Sequence, residues 1–152
     1  MKRHGWTLLF HSCLVEQLRK LHEAGERAWS KNPDAFHSNA NVRLFRALNQ
    51  LILETIPSDP ARVEYRQGNT LGADHRHWRR AKIGRRFRLF FRFDSRSRTI
   101  VYAWVNDGKT LRAAGSKSDP YAVFRKMLNS GNPPDDWASL VQASRANWDT
   151  GS

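Results

Sequence analysis

The sequence predicts an α+β domain in which two amphipathic helices pack on one face of a small antiparallel sheet. Two segments between residues 12 and 55 carry apolar residues at the three- and four-residue spacing of helices. Residues 86–93 alternate arginine with apolar side chains, which is the two-residue period of a strand. The chain has 152 residues, of which 39% are hydrophobic, so it can form a core of its own.

The first half of the chain predicts one strand and the helix pair. Residues 6–10 are short, β-prone and bounded by turn-forming residues, which indicates a strand. Ser12 is the predicted N-cap of a helix that runs to about Ser30. A second helix is predicted from about residue 38 to 55, where Pro57 and Pro60 end it.

The middle of the chain predicts a meander of strands. The candidates are residues 64–66, 75–82, 86–93 and 99–105, and the third has the clearest alternation. We expect its apolar face to lie under the helix pair: Phe87, Leu89, Phe91 and Phe93. The other face of the sheet is then left open for a functional site.

A short helix is predicted near the C-terminus. Asp119 is a candidate N-cap, Pro120 suits the first helical position, and Gly131 closes the helix. A polar tail follows from about residue 138 to 152. No linker or repeat divides the chain, so residues 1–152 are interpreted as one domain with its core at about 5–130.

Charge is the most informative feature for function. The chain has 26 Lys and Arg residues against 14 acidic ones, a net charge of +12 and a pI near 10.8. Ten of the basic residues lie between His75 and Arg98, where Asp94 is the one acid. Such clustering favours a groove for nucleic-acid phosphates over a merely solvated sheet face.

Aromatic residues in this region either stack on bases or pack in the core. Phe90, Trp78, Tyr102 and Trp104 could do either, and packing is favoured for all four. Trp78 is the best candidate of the group for base stacking, since a strand over 75–82 would place it on one face with Arg76, Arg80 and Lys82.

The sequence predicts no metal and no cofactor. Its acids form no recognisable Mg²⁺ cluster, and His75 and His77 lack a third ligand in the sequence. No apolar stretch approaches the roughly 18–20 residues of a membrane span, so we expect a cytoplasmic protein with no membrane partner. RNA cleavage needs no metal if the 2′-hydroxyl is the nucleophile and protein side chains supply charge and proton transfer.

Several blocks of the sequence, in order, resemble the YhaV family of toxins. They are Tyr65–Gly72, Trp78–Lys82, Arg86–Arg92, Ala103–Asp107, Thr110–Arg112, Gly115–Leu128 and Gly131–Trp137. The resemblance implies a toxin of a bacterial type II toxin–antitoxin system with a RelE-like fold, in which a helix pair packs on a small antiparallel sheet. It implies a metal-independent endoribonuclease that acts on RNA, free or on the ribosome, and stops translation and growth.

The resemblance also implies partners and a site. A PrlF-type antitoxin would neutralise the toxin, and operator DNA would be bound only through the antitoxin complex. The catalytic candidates are Arg80, Lys82, Arg86 and Arg88 for the scissile phosphate, with His77, Lys82 or Tyr121 for proton transfer. The role of His77 rests on its position in the sequence alone, because it belongs to no family motif. The RNA-binding candidates are Arg76, Trp78, Arg79, Arg85, Arg92 and Arg112. The alternative is a non-catalytic basic protein that binds RNA or DNA and acts by occupancy.

Overall fold

A computed structural model describes residues 1–148 and places helices on both faces of one sheet. In this part of the chain the sheet is six-stranded, with spatial order β1-β2-β5-β4-β3 and with β6 beside β2. The strands are β1 (Lys2–Arg3), β2 (Trp6–His11), β3 (Arg79–Ile83), β4 (Phe87–Asp94), β5 (Thr99–Val105) and β6 (Ser144–Arg145).

The sheet is mixed, and the prediction of an antiparallel sheet is therefore wrong for one pair. β3, β4 and β5 form an antiparallel meander, but β2 and β5 run parallel, with Leu8 opposite Ile100. The hydrophobic pattern of a buried strand is the same in both directions, so the sequence alone does not set the direction of such a distant partner.

The helices fall into an N-terminal and a C-terminal group. The first group is α1 (Ser12–Lys31), α2 (Ala40–Gln50) and α3 (Ile56–Ser58), with a π-helical turn at Leu51–Thr55 between the last two. The second group is α4 (Pro120–Asn129) and α5 (Trp137–Gln142). Short 3₁₀ turns lie at Pro33–Ser38, Val63–Tyr65 and Ala73–His75. No helix among the described residues has the length and apolar character to cross a membrane.

Helix α1 begins as predicted, but its N-cap is His11. The His11 Nδ1 atom accepts a hydrogen bond from the Cys13 backbone N–H at 3.1 Å. Leu14 and Leu18 on its apolar face are completely buried. The observed N-cap therefore lies one residue before the predicted one. The predicted buried face of the helix is confirmed.

The second predicted helix is divided into α2, the π-helical turn and α3. Contrary to the prediction, Pro57 does not end the helical path but lies inside α3. A proline has no backbone N–H, so in the π-helical register the Ile52 carbonyl lacks its amide donor. The Tyr102 hydroxyl donates to that carbonyl at 2.8 Å. The helical path therefore continues through Pro57 to Ser58, because a side chain of the sheet replaces the missing backbone donor.

The helix pair covers the predicted face of the sheet. Leu89 and Phe91 are completely buried under α1 and α2, and Phe87 and Phe93 pack at the margin of the same core. This confirms the alternation predicted for the third strand candidate.

The opposite face is also covered, which corrects the prediction of a two-layer fold with one open face. The Phe124 ring on α4 is stacked on Phe90 at 4.4 Å and on Trp104 at 5.9 Å between ring centroids. A β-bulge turns both Ala103 and Trp104 toward this face. The aromatic side chains of the second face therefore pack under α4 and leave only part of the face for a site.

Two strand predictions differ from the structure. Residues 63–65 form a 3₁₀ turn, and only Arg66 bridges to Arg79. The strand predicted over 75–82 begins at Arg79, because a turn at Ala73–His75 precedes it. His75, His77 and Trp78 are therefore not strand residues, contrary to the prediction.

The region interpreted as a polar tail contains two further elements. Leu140 of α5 is completely buried against the core under α4. Strand β6 pairs antiparallel with β2, with Ser144 opposite His11. Both elements are too short to be evident from periodicity.

Candidate active site

The Tyr121 hydroxyl is the centre of the candidate site. The Arg80 Nε–H donates to its oxygen at 2.8 Å and the Arg88 Nε–H at 3.2 Å. The Arg112 guanidinium lies 4.9 Å from the centroid of the Tyr121 ring. Three cations from separate parts of the chain therefore surround one phenol, which we call the arginine cluster (Arg80, Arg88, Arg112 and Tyr121).

The start of helix α4 positions Tyr121. The buried carboxylate of Asp119 caps the helix by accepting the Tyr121 backbone N–H at 3.1 Å. It also accepts the Ala113 N–H at 2.8 Å and an Arg112 Nη1–H at 2.5 Å. One carboxylate thus holds both the tyrosine and the third arginine of the cluster.

Strands β3 and β4 position the other two arginines. Arg88 lies opposite Lys82 and Arg80 lies opposite Phe90, so all of these side chains share the face toward α4. Arg80 Nη1 donates to the Glu64 carbonyl at 2.7 Å and Arg88 Nη1 to the Phe87 carbonyl at 2.9 Å. These contacts fix the direction of each guanidinium.

The positive charge of the cluster is poorly compensated. Among the described residues, Arg112 is paired with Asp119, but neither Arg80 nor Arg88 has a carboxylate oxygen within 4.0 Å. Arg88 is only 7% exposed. A buried charge without an ionic partner is costly, so the cluster favours an anion that can accept the remaining guanidinium N–H groups.

Asn106 organises the loop beside the cluster. Its Oδ1 accepts the Arg88 backbone N–H at 2.7 Å, and its Nδ2–H group donates to the carbonyls of Arg86 and Thr110 at 2.9 and 2.7 Å. The Arg112 N–H donates to the Arg86 carbonyl at 3.0 Å. No role is predicted for Asn106 from the sequence, although it lies in the family block Ala103–Asp107 and is a polar amide directly after a buried strand.

The rim of the cluster contains further predicted residues. Lys82 is exposed on β3 across from Arg88. Arg85 and Arg86 are exposed in the turn between β3 and β4, so Arg86 is not on the strand face predicted for it. A groove of about 320 Å³ adjoins Tyr121 and is lined by Thr70, Arg112, Ser116 and Arg125 among others.

The remaining predicted RNA-binding residues do not join the cluster. Trp78 is completely buried and packs edge-on against Phe124 at 5.0 Å, which agrees with the packing alternative and leaves no exposed ring face for base stacking. Arg79 lies on the opposite face, 5.6 Å from the Phe93 ring. Arg76 is exposed in the turn before β3.

Arg92 is held between two tryptophans. Its guanidinium lies 5.7 Å from the Trp78 ring and 5.3 Å from the Trp137 ring. Its Nη1–H donates to the Asp135 carbonyl at 2.5 Å. Burial lowers the pKa of Arg92, and the neighbouring carboxylates, Asp135 first, oppose that shift. These contacts give Arg92 a packing role.

His77 belongs to a second cluster, at the other end of β4. The Asp135 Oδ1 atom lies 2.9 Å from His77 Nε2, 3.1 Å from His75 Nδ1 and 2.7 Å from Trp78 Nε1. Burial opposes ionisation of Asp135, but the Trp78 and His77 hydrogen bonds hold its pKa below the usual value. Arg92, which lies beside this second cluster, is four positions along β4 from Arg88, or about 13 Å. His77 makes no contact with the arginine cluster.

Comparisons with known proteins agree with a nuclease site. A family model described as "Toxin with endonuclease activity, of toxin-antitoxin system" matches residues 8–145. The chain is 38% identical over 141 residues to "Toxin YhaV" of Escherichia coli O6:H1, which covers 91% of this chain and 92% of that protein. It is 37% identical, with the same coverage, to "Ribonuclease toxin YhaV" of Escherichia coli (strain K12). No solved structure matches the chain.

Proposed function

The chain belongs to the YhaV family of toxins, endonucleases of toxin–antitoxin systems, and from this premise we propose that it cleaves RNA by attack of a 2′-hydroxyl on the adjacent phosphate. The observation that carries the proposal is the arginine cluster, in which Arg80 and Arg88 both donate to the Tyr121 hydroxyl. The printed name of one relative, a ribonuclease toxin, supports RNA as the substrate.

Electrostatic stabilisation is the main role of the arginines in this mechanism. The 2′-hydroxyl gives its proton to bulk water as its oxygen bonds to phosphorus, and negative charge accumulates on the non-bridging oxygens of the phosphorane. Guanidinium groups that are already oriented stabilise this charge without reorganisation in the transition state. Arg80 and Arg88 have fixed orientations, and Arg112 is anchored by Asp119.

Tyr121 is assigned the proton transfer to the leaving group. Its oxygen accepts two guanidinium N–H groups, so its own hydroxyl proton is not used in these contacts, and Tyr121 lines the groove beside the cluster. Breaking the bond between phosphorus and the 5′-oxygen requires a proton on that oxygen, and the Tyr121 hydroxyl supplies it. The phenolate that remains is stabilised by the same two arginines. The exposed Lys82, Arg85 and Arg86 then hold phosphates that flank the scissile one.

The proposal includes a cellular setting, which rests on the family resemblance. We place the fold among RelE-like toxins, supported by the helix pair on the β3–β5 meander. A PrlF-type antitoxin neutralises the protein and carries the operator contacts, and the complex is cytoplasmic. RNA is cleaved free or on the ribosome.

A cleavage assay with defined RNA ends tests the proposed function. The purified chain is incubated with a defined mRNA in EDTA, with and without translating ribosomes. We expect fragments with 2′,3′-cyclic phosphate or 3′-phosphate ends. The Arg88→Ala variant loses part of the phosphate binding and should cleave about 10²–10³-fold more slowly. Arg43→Ala, an exposed arginine of α2, is the matched control and should cleave at the wild-type rate.

Two results would contradict the proposal. Fragments with 3′-hydroxyl ends would exclude 2′-hydroxyl attack. Intact RNA in both arms, together with tight binding that weakens steeply with salt, would favour the alternative of a protein that acts by occupancy.

A further inference from the structure

We infer that His75, His77 and Asp135 form a binding site for a divalent transition-metal ion of the Zn²⁺ type. The site is separate from the arginine cluster. It combines a turn that precedes β3 with the segment between α4 and α5. The inference is independent of the proposed function, because the two clusters share no residue.

The ligand atoms have the type and spacing that such an ion requires. His75 Nδ1, His77 Nε2 and one Asp135 carboxylate oxygen all lie within 4.8 Å of one another. Two imidazole nitrogens and a carboxylate oxygen are a common ligand set for zinc sites with three protein ligands, which leave one position for water.

The contacts around Asp135 are crowded without an ion. The Trp78 Nε1–H group always carries a proton and donates a hydrogen bond to Asp135 Oδ1 at 2.7 Å. Both imidazole nitrogens point to the same oxygen, at 3.1 and 2.9 Å. A bound ion would accept the lone pairs of both imidazoles in their neutral form. The Trp78 N–H would remain as the outer hydrogen bond that orients the carboxylate.

The surroundings favour a transition metal over Mg²⁺ or Ca²⁺. Two of the three ligands are nitrogen atoms, whereas Mg²⁺ and Ca²⁺ prefer oxygen ligands. Trp78 is buried and holds the site rigidly, while the His77 side chain is 37% exposed and leaves a path for the ion.

Direct metal titration of the full-length, tag-free chain tests the inference. The protein is stripped with a chelator and titrated with Co²⁺, whose visible absorption reports tetrahedral nitrogen and oxygen ligands, and then with Zn²⁺ as competitor. We expect about one ion per chain and an increase in the thermal unfolding midpoint on binding. Zn²⁺ should displace Co²⁺ and remove the absorption.

Substitutions locate the site. His77→Gln removes a metal ligand at a half-exposed position. Loss of a residue that only hydrogen-bonds to a metal ligand weakens metal binding by about 10–100-fold, and we expect the loss of His77 to weaken Co²⁺ binding by more than this. His22→Gln is the matched control, because His22 is an exposed histidine 3.1 Å from a carboxylate, that of Glu26, outside the site. Its affinity should equal that of the wild type.

Three outcomes would overturn the inference. They are the absence of a tetrahedral Co²⁺ spectrum in the wild-type chain, equal affinity in the His77→Gln variant, and loss of binding in the His22→Gln variant. Any of them would leave the three residues as a hydrogen-bonded contact only. RNA cleavage in EDTA tests the arginine cluster separately, so failure of one proposal does not imply failure of the other.

Discussion

At the scale of single residues, the Tyr121 hydroxyl is the atom on which the proposed chemistry depends. Its ring is fixed independently of the hydroxyl, by edge-on packing against Phe90 at 5.6 Å and by Arg112 on one face. Removing the oxygen therefore leaves the packing of the side chain unchanged. The same change removes the oxygen that accepts hydrogen bonds from Arg80 and Arg88. It also removes the hydroxyl that is proposed to protonate the leaving 5′-oxygen.

We predict that Tyr121→Phe lowers the rate of RNA cleavage by about 10²–10⁴-fold, the usual contribution of a positioned acid or base. Single-turnover cleavage with the protein in excess over RNA is the measurement. Tyr102→Phe is the control, because it removes a buried hydroxyl on the opposite face of the sheet. A wild-type cleavage rate in Tyr121→Phe would exclude this residue as the acid.

The sequence nominates individual candidate residues but does not predict the contacts between them. Arg80, Arg88 and Tyr121 were candidates from their place in the family blocks, and the structure brings them into contact. The contact of His77 with Asp135 could not be predicted, because 58 residues separate the two. A third ligand so distant in the sequence becomes visible only when the chain is folded.

At the scale of elements, the π-helical turn shows how one side chain allows a helix to continue through a proline. The Tyr102 hydroxyl on β5 donates to the Ile52 carbonyl, which Pro57 leaves without an amide donor. The hydroxyl is completely buried, and burial raises the pKa of Tyr102 well above its usual value. Tyr102 therefore remains neutral and acts as a hydrogen-bond donor at all ordinary pH values.

We predict that Tyr102→Phe lowers the free energy of unfolding by about 1–3 kcal/mol, because a buried carbonyl loses its partner. Urea-induced unfolding measures the change. Tyr65→Phe is a comparison at the same core, since the Tyr65 ring packs edge-on against Phe91 at 5.4 Å. Equal destabilisation by both variants would mean that the contact with the Ile52 carbonyl contributes nothing.

Prediction of the elements succeeded where a single period dominates a segment. β2, α1, β4, β5 and the start of α4 agree with the sequence analysis to within one or two residues. It failed for the parallel pairing of β2 with β5, and for the covering of the second sheet face. Both depend on distant contacts, about which periodicity holds no information.

At the scale of the whole molecule, the net charge of +12 makes the few carboxylates important for stability at low pH. Asp107 anchors the loop after β5: its carboxylate accepts the Thr110 hydroxyl at 2.9 Å and the Lys109 N–H at 3.0 Å. Burial opposes ionisation of Asp107, but these hydrogen bonds hold its pKa below the usual value. Ser97 lowers the pKa of Asp94 in the same way.

We predict that acid destabilises the fold. A carboxyl with a lowered pKa in the folded state contributes stability above its unfolded pKa, near 3.9, and loses it as the pH falls through the folded value. Urea unfolding between about pH 5 and pH 3 should show decreasing stability, and Asp107→Asn should reduce the slope. Glu23→Gln, on the exposed side of α1, should retain the wild-type slope. A slope unchanged by Asp107→Asn would contradict the assignment.

The pairing of β6 with β2 joins the two ends of the described chain. Synthesis proceeds from the N-terminus, so a growing chain acquires Arg80 and Arg88 well before Tyr121, and Tyr121 before β6. The arginine cluster therefore cannot assemble before Tyr121 has been synthesised, because its hydroxyl is the shared acceptor of Arg80 and Arg88.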